Sequence, residues 1–393
     1  MRKYKIAIYS GEIPPPTFIY RLINGLADEN QSILLVGNLT RKVSYQSNHI
    51  KVVGFSGRIS KFWILFKYSI LLFLFHRKNK RKIDQWIKVN VKNKKLSKIR
   101  YYPIVYHMPD IFHLQWAKSV ADWIWVKEFG IKLIVSLRGA HINYTPICDP
   151  RFVGIYSNYF PFVDGFHGVS EAIIAEASKY KADIKKCKVV YSGLDLKKMS
   201  FNDLKKPVQE LQILSVGRNH WKKGYRYALD TMKILKESKI KFTYTIVGVD
   251  TDEELVFQRR QLNLEEEVIF VSKLAFHDVT EKIVNSSLLL LPSLEEGIAN
   301  VVLEAMALGT MVVSTDCGGM REVVRHKENG FLVPVRSPKE MAKAILETTQ
   351  LSEPEMLKML RSARQQIEKN HEAKKMIHDM LTLYNQVCEY EKS

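Results

Sequence analysis

The chain has 393 residues, 46% of them hydrophobic and 26% charged, so it is long enough for two domains of ordinary size, and its composition excludes wholesale disorder. Its four cysteines show no CxxC or CxxH spacing. A disulfide framework and a structural zinc site are therefore not expected, and a reducing cytosol is the default compartment.

The formal net charge of +19 is concentrated in the first half of the chain. Residues 1–200 hold 33 lysines and arginines against 13 acids, a net charge of +20, whereas residues 201–393 hold 27 against 28. Residues 51–100 alone carry 15 basic residues and one acid. We therefore expect one half of the molecule to face an anionic partner.

The N-terminal segment, MRKYKIAIYSGEIPPP, contains an apolar run that is too short for a signal peptide. It is expected to form a buried strand from Tyr4 to Tyr9 that runs into a glycine turn. Further runs that are apolar throughout alternate with helix-length segments, which is typical of parallel strands covered on both faces. The first series of these runs comprises residues 5–9, 32–37, 110–114, 132–137, 165–170 and 188–192.

Between the second and third runs lies a basic, aromatic stretch, FWILFKYSILLFLFHRKNKRK (62–82). Its apolar part is 14 residues long and is interrupted by Lys67, whereas a membrane-spanning helix needs roughly 20 residues. Aromatic residues and leucines beside a Lys/Arg cluster suit a helix lying in an anionic membrane interface, so residues 61–82 are predicted to contact such a surface. A buried domain helix followed by solvated charges is the alternative. Nucleic-acid binding is not expected, because no helix-turn-helix, zinc or RNP-like pattern accompanies the charge.

A second series of apolar runs follows, and two consecutive series of about six predict two doubly wound α/β domains. The expected domains are 1–203 and 204–372, with a linker around 201–209, and a C-terminal helix at 373–393 is expected to cross back to the first domain. Ligands of such folds bind where strands end and helices begin, and the cleft between two such domains is a further natural site. The second series comprises residues 211–217, 243–248, 268–272, 287–293, 311–315 and 330–334.

VGRNHWKKG (216–224) follows the first strand of the second series. Gly217 allows the chain to turn, and Arg218 and Lys223 would then stand at a strand-to-helix corner, where two cations and a helix N-terminus suit a diphosphate. Two solvated basic residues in a loop are the alternative. Gly248 similarly ends a strand.

Other nucleotide and metal motifs are absent or weak in the sequence. The first strand–turn lacks GxGxxG, and no Walker A sequence occurs, so dehydrogenases and P-loop enzymes lose their main support. One DxD occurs at Asp250 and Asp252, but Glu253 follows it and a helical pattern begins. Capping of a helix start is therefore the preferred interpretation, and no metal site is predicted.

SLEEGIANVVLEAMALG (293–309) places Glu296 before a helix and Glu304 within it. At ~1.5 Å per residue the two carboxylates would stand about 12 Å apart along the axis, too far to share a proton. They could instead hold two hydroxyl-bearing parts of one extended ligand. The alternative is that Glu296 complements the helix dipole and Glu304 forms a salt bridge.

This segment resembles the E-x7-E motif of the retaining glycosyltransferases of family four, which have the GT-B fold of two Rossmann-like domains facing a central cleft. The wider segment PSLEEGIANVVLEAMALGTMVVSTDCGGMREVV resembles that family through Val324. VGRNHWKKG resembles its G-R-x4-K-G motif, and KVVYSGLD (188–195) resembles the segment that closes its first domain. The resemblance covers residues 188–334.

The resemblance implies a nucleotide-sugar donor bound mainly by the second domain. Arg218 and Lys223 would hold the diphosphate and stabilise the leaving nucleotide, Glu304 would bind the ribose, and Glu296 would bind the donor sugar. It also implies retention at the anomeric carbon and no need for a divalent metal. The remaining donor-binding residues, chiefly through their backbones, would be Gly217, Gly248, Ser272, Lys273, Leu274, Gly297, Ile298, Ala299 and Asn300.

In the first domain the family often shows H-x-H, with a histidine near the donor sugar. This chain reads DIFHLQW, so His113 fits the first position as a catalytic candidate, with a plain strand histidine as the alternative, and Gln115 replaces the second histidine. SLRGAH places Arg138 where histidine is frequent, and Arg138 is predicted to contact an acceptor phosphate or an acidic sugar. Gly11, in the first strand–helix turn, is expected to lie against the diphosphate or the acceptor.

The sequence is therefore expected to encode a cytosolic, peripheral-membrane glycosyltransferase. It would transfer a sugar from a UDP- or GDP-sugar to a lipid-linked glycan in bacterial surface-polysaccharide assembly. The alternatives are a sugar-nucleotide 2-epimerase on the same fold and a non-catalytic, membrane-bound scaffold that binds nucleotide sugars.

Overall fold

The computed structural model describes residues 2–202 and 210–389, which form two compact units. The first unit contains residues 2–169, Ile174–Gly193 and 374–389, and the second contains Ser170–Ile173 and Leu194–Ala373. The chain enters the second unit at Leu194, whereas the sequence suggested a boundary at residue 204. Leu194 is held there because its N–H donates to the carbonyl of His371 at 2.7 Å. Most of the expected linker, residues 203–209, lies outside the described residues.

The first unit is built on a seven-stranded parallel sheet in the order β3-β2-β1-β4-β5-β6-β7. Its strands are β1 (Lys5–Ile13), β2 (Ser32–Leu39), β3 (Ile50–Phe55), β4 (Ile111–Leu114), β5 (Lys132–Leu137), β6 (Gly165–Gly168) and β7 (Cys187–Val189). The helices of this part of the chain are α1 (Thr17–Asp28), α2 (Gly57–Phe75), α3 (Arg77–Asn90), α4 (Lys94–His107), α5 (Val120–Trp123), α6 (Gly139–Asn143), α7 (Thr145–Cys148), α8 (Arg151–Tyr159) and α9 (Glu171–Ser178).

The second unit is built on a six-stranded parallel sheet in the order β10-β9-β8-β11-β12-β13. Its strands are β8 (Leu211–Val216), β9 (Phe242–Val247), β10 (Val268–Val271), β11 (Leu288–Leu291), β12 (Met311–Thr315) and β13 (Phe331–Val333). The helices that follow in the chain are α10 (Tyr225–Glu237), α11 (Glu253–Gln261), α12 (Phe276–Asn285), α13 (Asn300–Leu308), α14 (Pro338–Gln350), α15 (Glu353–Asn370) and α16 (Ala373–Glu389).

Both sheets confirm the predicted doubly wound α/β architecture, and each has one point at which the strand order reverses. The reversal falls between β1 and β4 in the first unit and between β8 and β11 in the second. Crossovers leave the sheet to opposite faces at such a point, which opens a crevice at the carboxyl ends of the two strands. These two edges are where a ligand is expected.

The last helix, α16, completes the core of the first unit. Its apolar face packs with α1 and with the sheet residues Ile6 and Ile8, both of which are fully buried. Burying a large apolar side chain contributes ~1.5–3 kcal/mol, so this helix is a major stabilising element of the first unit. Its buried residues are Met376, Ile377, Met380, Leu381, Leu383, Tyr384 and Val387.

Two strands of the first unit differ from their predicted form. β3 was not predicted, because only two of its six residues are buried, as fits a strand at the sheet edge. β1 continues to Ile13 instead of ending at Tyr9, and its register with β2 shifts between Tyr9 and Gly11. Gly11, with φ of +84°, therefore lies in a strand irregularity and not in a strand-to-helix turn.

Helix α2 exposes most of its apolar side chains. Of its 19 residues only Tyr68 and Leu72 are buried, and the packing of α2 is against α3, α4 and β3. A helix buried in the domain, the alternative to a membrane contact, is therefore wrong. Within the described residues, no helix has the length and apolarity that a membrane span requires. Its exposed apolar residues are Ile59, Phe62, Trp63, Phe66, Ile70, Phe73, Leu74 and Phe75.

Candidate functional site

The two predicted phosphate and sugar motifs follow β8 and β11, which are paired neighbours at the point of reversal in the second unit. The loop after β8 makes one 3-10 turn at Trp221–Lys223 and reaches Gly224 in the left-handed region before α10. The N–H of Leu294, in the loop after β11, donates to the carbonyl of Lys222 at 2.6 Å. A Cβ on Gly224 would overlap the carbonyl oxygen of Pro292. The two loops are therefore fixed against each other by their backbones.

This contact brings Lys223 to Glu296. The Lys223 Nζ lies 2.7 Å from Glu296 Oε1, which also accepts a hydrogen bond from Ser293 Oγ at 3.1 Å. The Nζ of Lys222 stands 3.7 Å from the second carboxylate oxygen. Glu296 is only 7% exposed, so a buried carboxylate is enclosed by two lysines and one hydroxyl.

Burial alone would raise the pKa of the Glu296 carboxyl, but Lys223 and Lys222 together hold it below its ordinary value. Burial lowers the pKa of Lys222, and the charges of Lys223 and Arg218 lower it further, although Glu296 acts in the opposite direction. Glu296 is therefore ionised at neutral pH. The charges of Arg218 and Lys223 and of the carboxylates Glu295 and Glu296 all act on Lys222, so three cations meet two carboxylates, which leaves an excess of positive charge at this corner.

Arg218 differs from the two lysines because its side chain is exposed. It follows Gly217 at the end of β8, and a Cβ on Gly217 would come within 2.9 Å of Lys223 Cε and of the Tyr225 hydroxyl. The glycine thus leaves room for the lysine stem that runs to Glu296. Gly248, with φ of +96°, ends β9 in the same way, and a Cβ there would press on the carbonyl of Gly217. Both glycines serve the packing of these loops.

The backbone around Glu296 and Gly297 is closely covered by a glycine pair from the loop after β12. The N–H of Gly319 donates to the carbonyl of Gly297 at 2.8 Å. A Cβ on Gly318 would overlap the carbonyl of Glu296, and one on Gly319 would overlap that of Gly297. These two glycines belong to the site scaffold, although they were not among the predicted site residues.

Helix α13 begins at Asn300, and the backbone from Gly297 to Asn300 was predicted to bind the donor. One N–H group of this segment is occupied, because the Ala299 N–H points to the sulfur of Met320 at 3.4 Å in the core. Ile298 packs against the same core cluster. The side-chain oxygen of Asn300 is buried and accepts no hydrogen bond within the described part of the chain. The acceptor capacity of this oxygen is therefore unused, and the atom is shielded from solvent.

Glu304 lies in the second turn of α13 and is partly buried. The ~12 Å estimate between the carboxylates assumed a helical path from Glu296 onward. Only the four steps from Asn300 to Glu304 are helical, a rise of about 6 Å, and the rest is loop. The spacing of Glu296 and Glu304 in the sequence therefore does not correspond to a fixed distance along one helix axis.

The remaining predicted donor residues lie on the same sheet edge. Ser272 and Lys273 are exposed in the loop after β10, and Leu274 packs on the core. Asp252 caps α11, as predicted, by accepting from the Leu255 N–H at 2.8 Å. It also accepts from the Asn219 amide at 2.6 Å, which ties this cap to the loop that carries Arg218.

His113 lies in the core of the first unit, which corrects its prediction as a catalytic residue. The ring is fully buried in β4. Its Nδ1 is 2.7 Å from the Tyr384 hydroxyl and its Nε2 is 2.9 Å from Ser136 Oγ, which is also 2.9 Å from Nδ1 of His167. Burial lowers the pKa of His113 well below its usual range and that of His167 to about 3. Both rings are neutral structural groups that a substrate cannot reach.

Gln115 and Arg138 lie at the carboxyl ends of β4 and β5, and they contact each other directly. Arg138 Nη2 donates to Gln115 Oε1 at 2.8 Å. Gly11 lies on the neighbouring β1, next to Ser10, whose carbonyl accepts from Trp116 Nε1 at 2.7 Å. The three predicted residues therefore share the edge at which the order of the first sheet reverses.

Sequence reasoning missed Lys222 and Ser293, which complete the enclosure of Glu296. Both stand next to motif residues, Lys222 one position before Lys223 and Ser293 three before Glu296. The signal for Ser293 was a small polar residue directly after a buried apolar strand. Nothing in the sequence shows that Lys222 is buried and not exposed to solvent.

Comparison with known proteins gives matches over the unit that carries this site. Residues 197–369 match the family described as Glycosyl transferases group 1. The chain is 27% identical over 269 residues to WcaL of Escherichia coli (strain K12), which is provisionally assigned as a colanic acid biosynthesis glycosyltransferase; the alignment spans 66% of this chain and 66% of WcaL. It is 32% identical over 167 residues, 41% of each chain, to the amylovoran biosynthesis glycosyltransferase AmsK of Erwinia amylovora.

The crystal structure of Anabaena HepE in complex with UDP-glucose superimposes with a TM-score of 0.68, at 17% identity and 99% coverage of both chains. This similarity concerns the fold, which it identifies as GT-B. The match to the group 1 glycosyltransferases covers the unit that carries Lys223 and Glu296, whereas the likeness in fold covers the whole chain.

Proposed function

We propose that the protein is a retaining glycosyltransferase that moves a sugar from a UDP- or GDP-sugar onto a lipid-linked glycan during assembly of a bacterial surface polysaccharide. The observation that carries this proposal is the enclosed Glu296 with Lys222, Lys223 and Arg218 at the strand reversal of the family-matched unit. The relatives assigned to colanic acid and amylovoran biosynthesis support the class of product.

The excess of positive charge at this corner suits a nucleotide diphosphate. Arg218 is exposed and has room to contact a phosphate, while the largely buried side chains of Lys222 and Lys223 add positive charge. Cations aimed at the leaving diphosphate stabilise the charge that develops as the glycosidic bond breaks. We propose that these side chains supply that stabilisation without a divalent metal, since Asp252 is engaged in capping α11.

The acceptor groups around the corner suit the hydroxyls of the donor. Glu296 is fixed in one orientation by Lys223 and Ser293, and a fixed carboxylate selects the position of a sugar hydroxyl. Glu304, in the second turn of α13, is proposed to hold the ribose. Ser272 and Leu274 are proposed to border the base.

The decisive experiment compares Glu296→Gln with Glu328→Gln. Both replace a carboxylate in the second unit by an amide, but Glu328 pairs with Arg325 at the surface. UDP- and GDP-sugars are first screened by thermal shift, and transfer is then followed by nucleotide release in the presence of lipid-linked glycans. We expect Glu296→Gln to lose transfer by ~100-fold or more and Glu328→Gln to retain it, with the product keeping the donor's anomeric configuration by NMR. Full transfer by Glu296→Gln would refute the assignment of the site.

Membrane contact through α2 and the start of α3 is part of the proposal. The exposed aromatic residues of α2 include Trp63, 60% exposed, and Phe66, whose rings meet edge to face at 6.0 Å. The single acid of residues 51–100, Asp84, pairs with Lys80 and Lys98, so most basic residues there have no acidic neighbour in that stretch. Apolar rings beside basic side chains suit the interface of an anionic leaflet, and we therefore propose that the protein lies on the cytoplasmic face of the membrane.

A further inference from the structure

A buried guanidinium stands without a counter-charge at the strand reversal of the first unit. Arg138 follows β5, and its Nη2 donates to the side-chain oxygen of Gln115, which follows the adjacent strand β4. The two side chains therefore form one contact at the ends of two paired strands.

The surroundings of Arg138 are aromatic and neutral. Its guanidinium carbon lies 4.5 Å from the centre of the Phe18 ring and 6.0 Å from that of Trp116. In the described part of the chain, no carboxylate forms an ion pair with it. Burial lowers the pKa of Arg138 to about 9, and no acidic side chain acts to raise it. The group therefore remains protonated at neutral pH and keeps its full charge.

Two N–H donors of this pair have no acceptor. Within the described residues, Gln115 Nε2 and Arg138 Nε are both buried and make no hydrogen bond. Gln115 is fully buried, whereas Arg138 is partly exposed and accessible to a ligand. A buried donor without an acceptor is costly, and a buried cation without a counter-ion more so. A pair retained only for packing would be more stable with an acid at one of the two positions.

We infer that Arg138, oriented by Gln115, binds an oxyanion of the acceptor, either the carboxylate of an acidic sugar or a phosphate of the lipid carrier. This inference rests on the proposed function and names the chemistry of its acceptor. Phe18 and Trp116 beside the guanidinium offer apolar faces against which a sugar ring packs. The position at the carboxyl ends of β4 and β5, next to the strand reversal, is where doubly wound sheets bind ligands.

Gln115→Glu is the sharpest test of this site. It keeps the size of the side chain and places a carboxylate 2.8 Å from Arg138, so that the cation has an internal partner and no longer needs an external one. Arg138→Met removes the charge directly. Arg325→Met serves as the matched control, because it removes a guanidinium that pairs with Glu328 at the surface of the second unit, outside both proposed binding sites.

The probes are D-glucuronate, inorganic phosphate and neutral D-glucose, measured by thermal shift and calorimetry at constant ionic strength. With the proposed diphosphate site filled by UDP, we expect one of the two anions to bind the wild-type protein and Arg325→Met alike, with at least about a tenfold loss of affinity in Gln115→Glu and Arg138→Met. Glucose should bind all four proteins equally weakly. Binding of glucuronate would identify an acidic sugar, and binding of phosphate alone would identify the lipid diphosphate.

Anion binding that survives in both Gln115→Glu and Arg138→Met would overturn the inference, as would its absence in the wild-type protein. If Arg138→Met fails to fold, Gln115→Glu still decides the question. These assays need no transfer reaction, so failure of this inference can be distinguished from failure of the proposed function. Anion binding by a protein that transfers no sugar would contradict only the proposed function, and transfer without any anion dependence would contradict only this inference.

Discussion

The ammonium group of Lys223 lies 2.7 Å from the carboxylate of Glu296, although the two residues are 73 positions apart. Each was expected to serve a different part of the donor, one the diphosphate and the other the sugar. Their contact means that each side chain holds the other in place before any ligand arrives. A diphosphate that binds Lys223 therefore has to share it with Glu296.

Removing one member of this pair should destabilise the second unit. Lys223→Met removes the ammonium group that lies 2.7 Å from the buried Glu296 carboxylate, and breaking a buried ion pair costs ~3–5 kcal/mol. The double variant Lys223→Met/Glu296→Gln should regain most of that stability, yet it should remain inactive because the charges are gone. Urea unfolding followed by circular dichroism measures the first effect, and nucleotide release measures the second. Equal stability of the single and double variants would contradict the coupling.

Gly224→Ala should distort the Lys223 loop. The residue has φ of +65°, which costs an L-residue ~1–2 kcal/mol, and its new Cβ would overlap the Pro292 carbonyl. Gly130→Ala is the matched control, because Gly130 has φ of +73° with nothing within 4 Å of the added Cβ. We expect Gly130→Ala to lose only the conformational part, while Gly224→Ala loses more stability and also weakens donor binding. Similar unfolding free energies for the two variants would show that the loop contact is unimportant.

The buried histidines His113 and His167 should make the first unit sensitive to acid. Their pKa values are lowered in the folded state and lie near 6.5 when unfolded, so below pH 6.5 the unfolded chain binds protons that the folded unit does not. Stability is therefore full above pH 6.5 and falls as the pH is lowered, by about 1.4 kcal/mol per pH unit for each histidine.

Tryptophan fluorescence can follow this transition, because five of the six tryptophans lie in the first unit and Trp221→Phe removes the sixth. In that background, His167→Gln should reduce the slope of unfolding free energy between pH 6.5 and 5 by about a third, because burial lowers the pKa of His107 in the same unit to about 4 as well. An unchanged slope would mean that His167 is protonated in the folded protein.

The exposed face of α2 should bind anionic vesicles. Trp63→Ser combined with Phe66→Ser removes two rings that are 60% and 49% exposed, and it should weaken binding to phosphatidylglycerol vesicles without lowering the melting temperature. Phe257→Ser is the control, since Phe257 is 64% exposed on the second unit. Co-sedimentation at low and moderate salt gives the affinities. If the control and the α2 variant bind equally well, the membrane contact lies elsewhere.

The strands were predictable because each carries a strong local signal. β5 and β12 coincide with their predicted runs, since their residues are apolar, consecutive and almost entirely buried. β3 lacks that signal because it lies at the edge of its sheet and exposes Lys51 and Val52. Periodicity detects burial on both faces, and an edge strand is buried on only part of one.

Site residues could be predicted where a sequence motif marks the loop that follows a strand. They could not be predicted where a residue's role depends on packing against a distant part of the chain. The motifs placed Lys223 and Glu296 on neighbouring corners, but the role of His113 depends on Tyr384, 271 residues later in the chain. No local pattern shows that α16 covers that face of the sheet. The aromatic face of α2 was left with two interpretations for the same reason, because the position of α4 decides which side is covered.

The path of the chain has a consequence for its synthesis. The second unit is, for most of its length, inserted between Gly193 and Lys374 of the first. The first unit therefore emerges from the ribosome with one layer of its core missing. That core is complete only after about 180 further residues have been synthesised and Tyr384 and its neighbours on α16 can pack against the sheet. The second unit, which is contiguous from Leu194, can fold earlier. We conclude that the first unit is the last to become stable, and that a chain shortened before α16 would keep the second unit folded and lose the first.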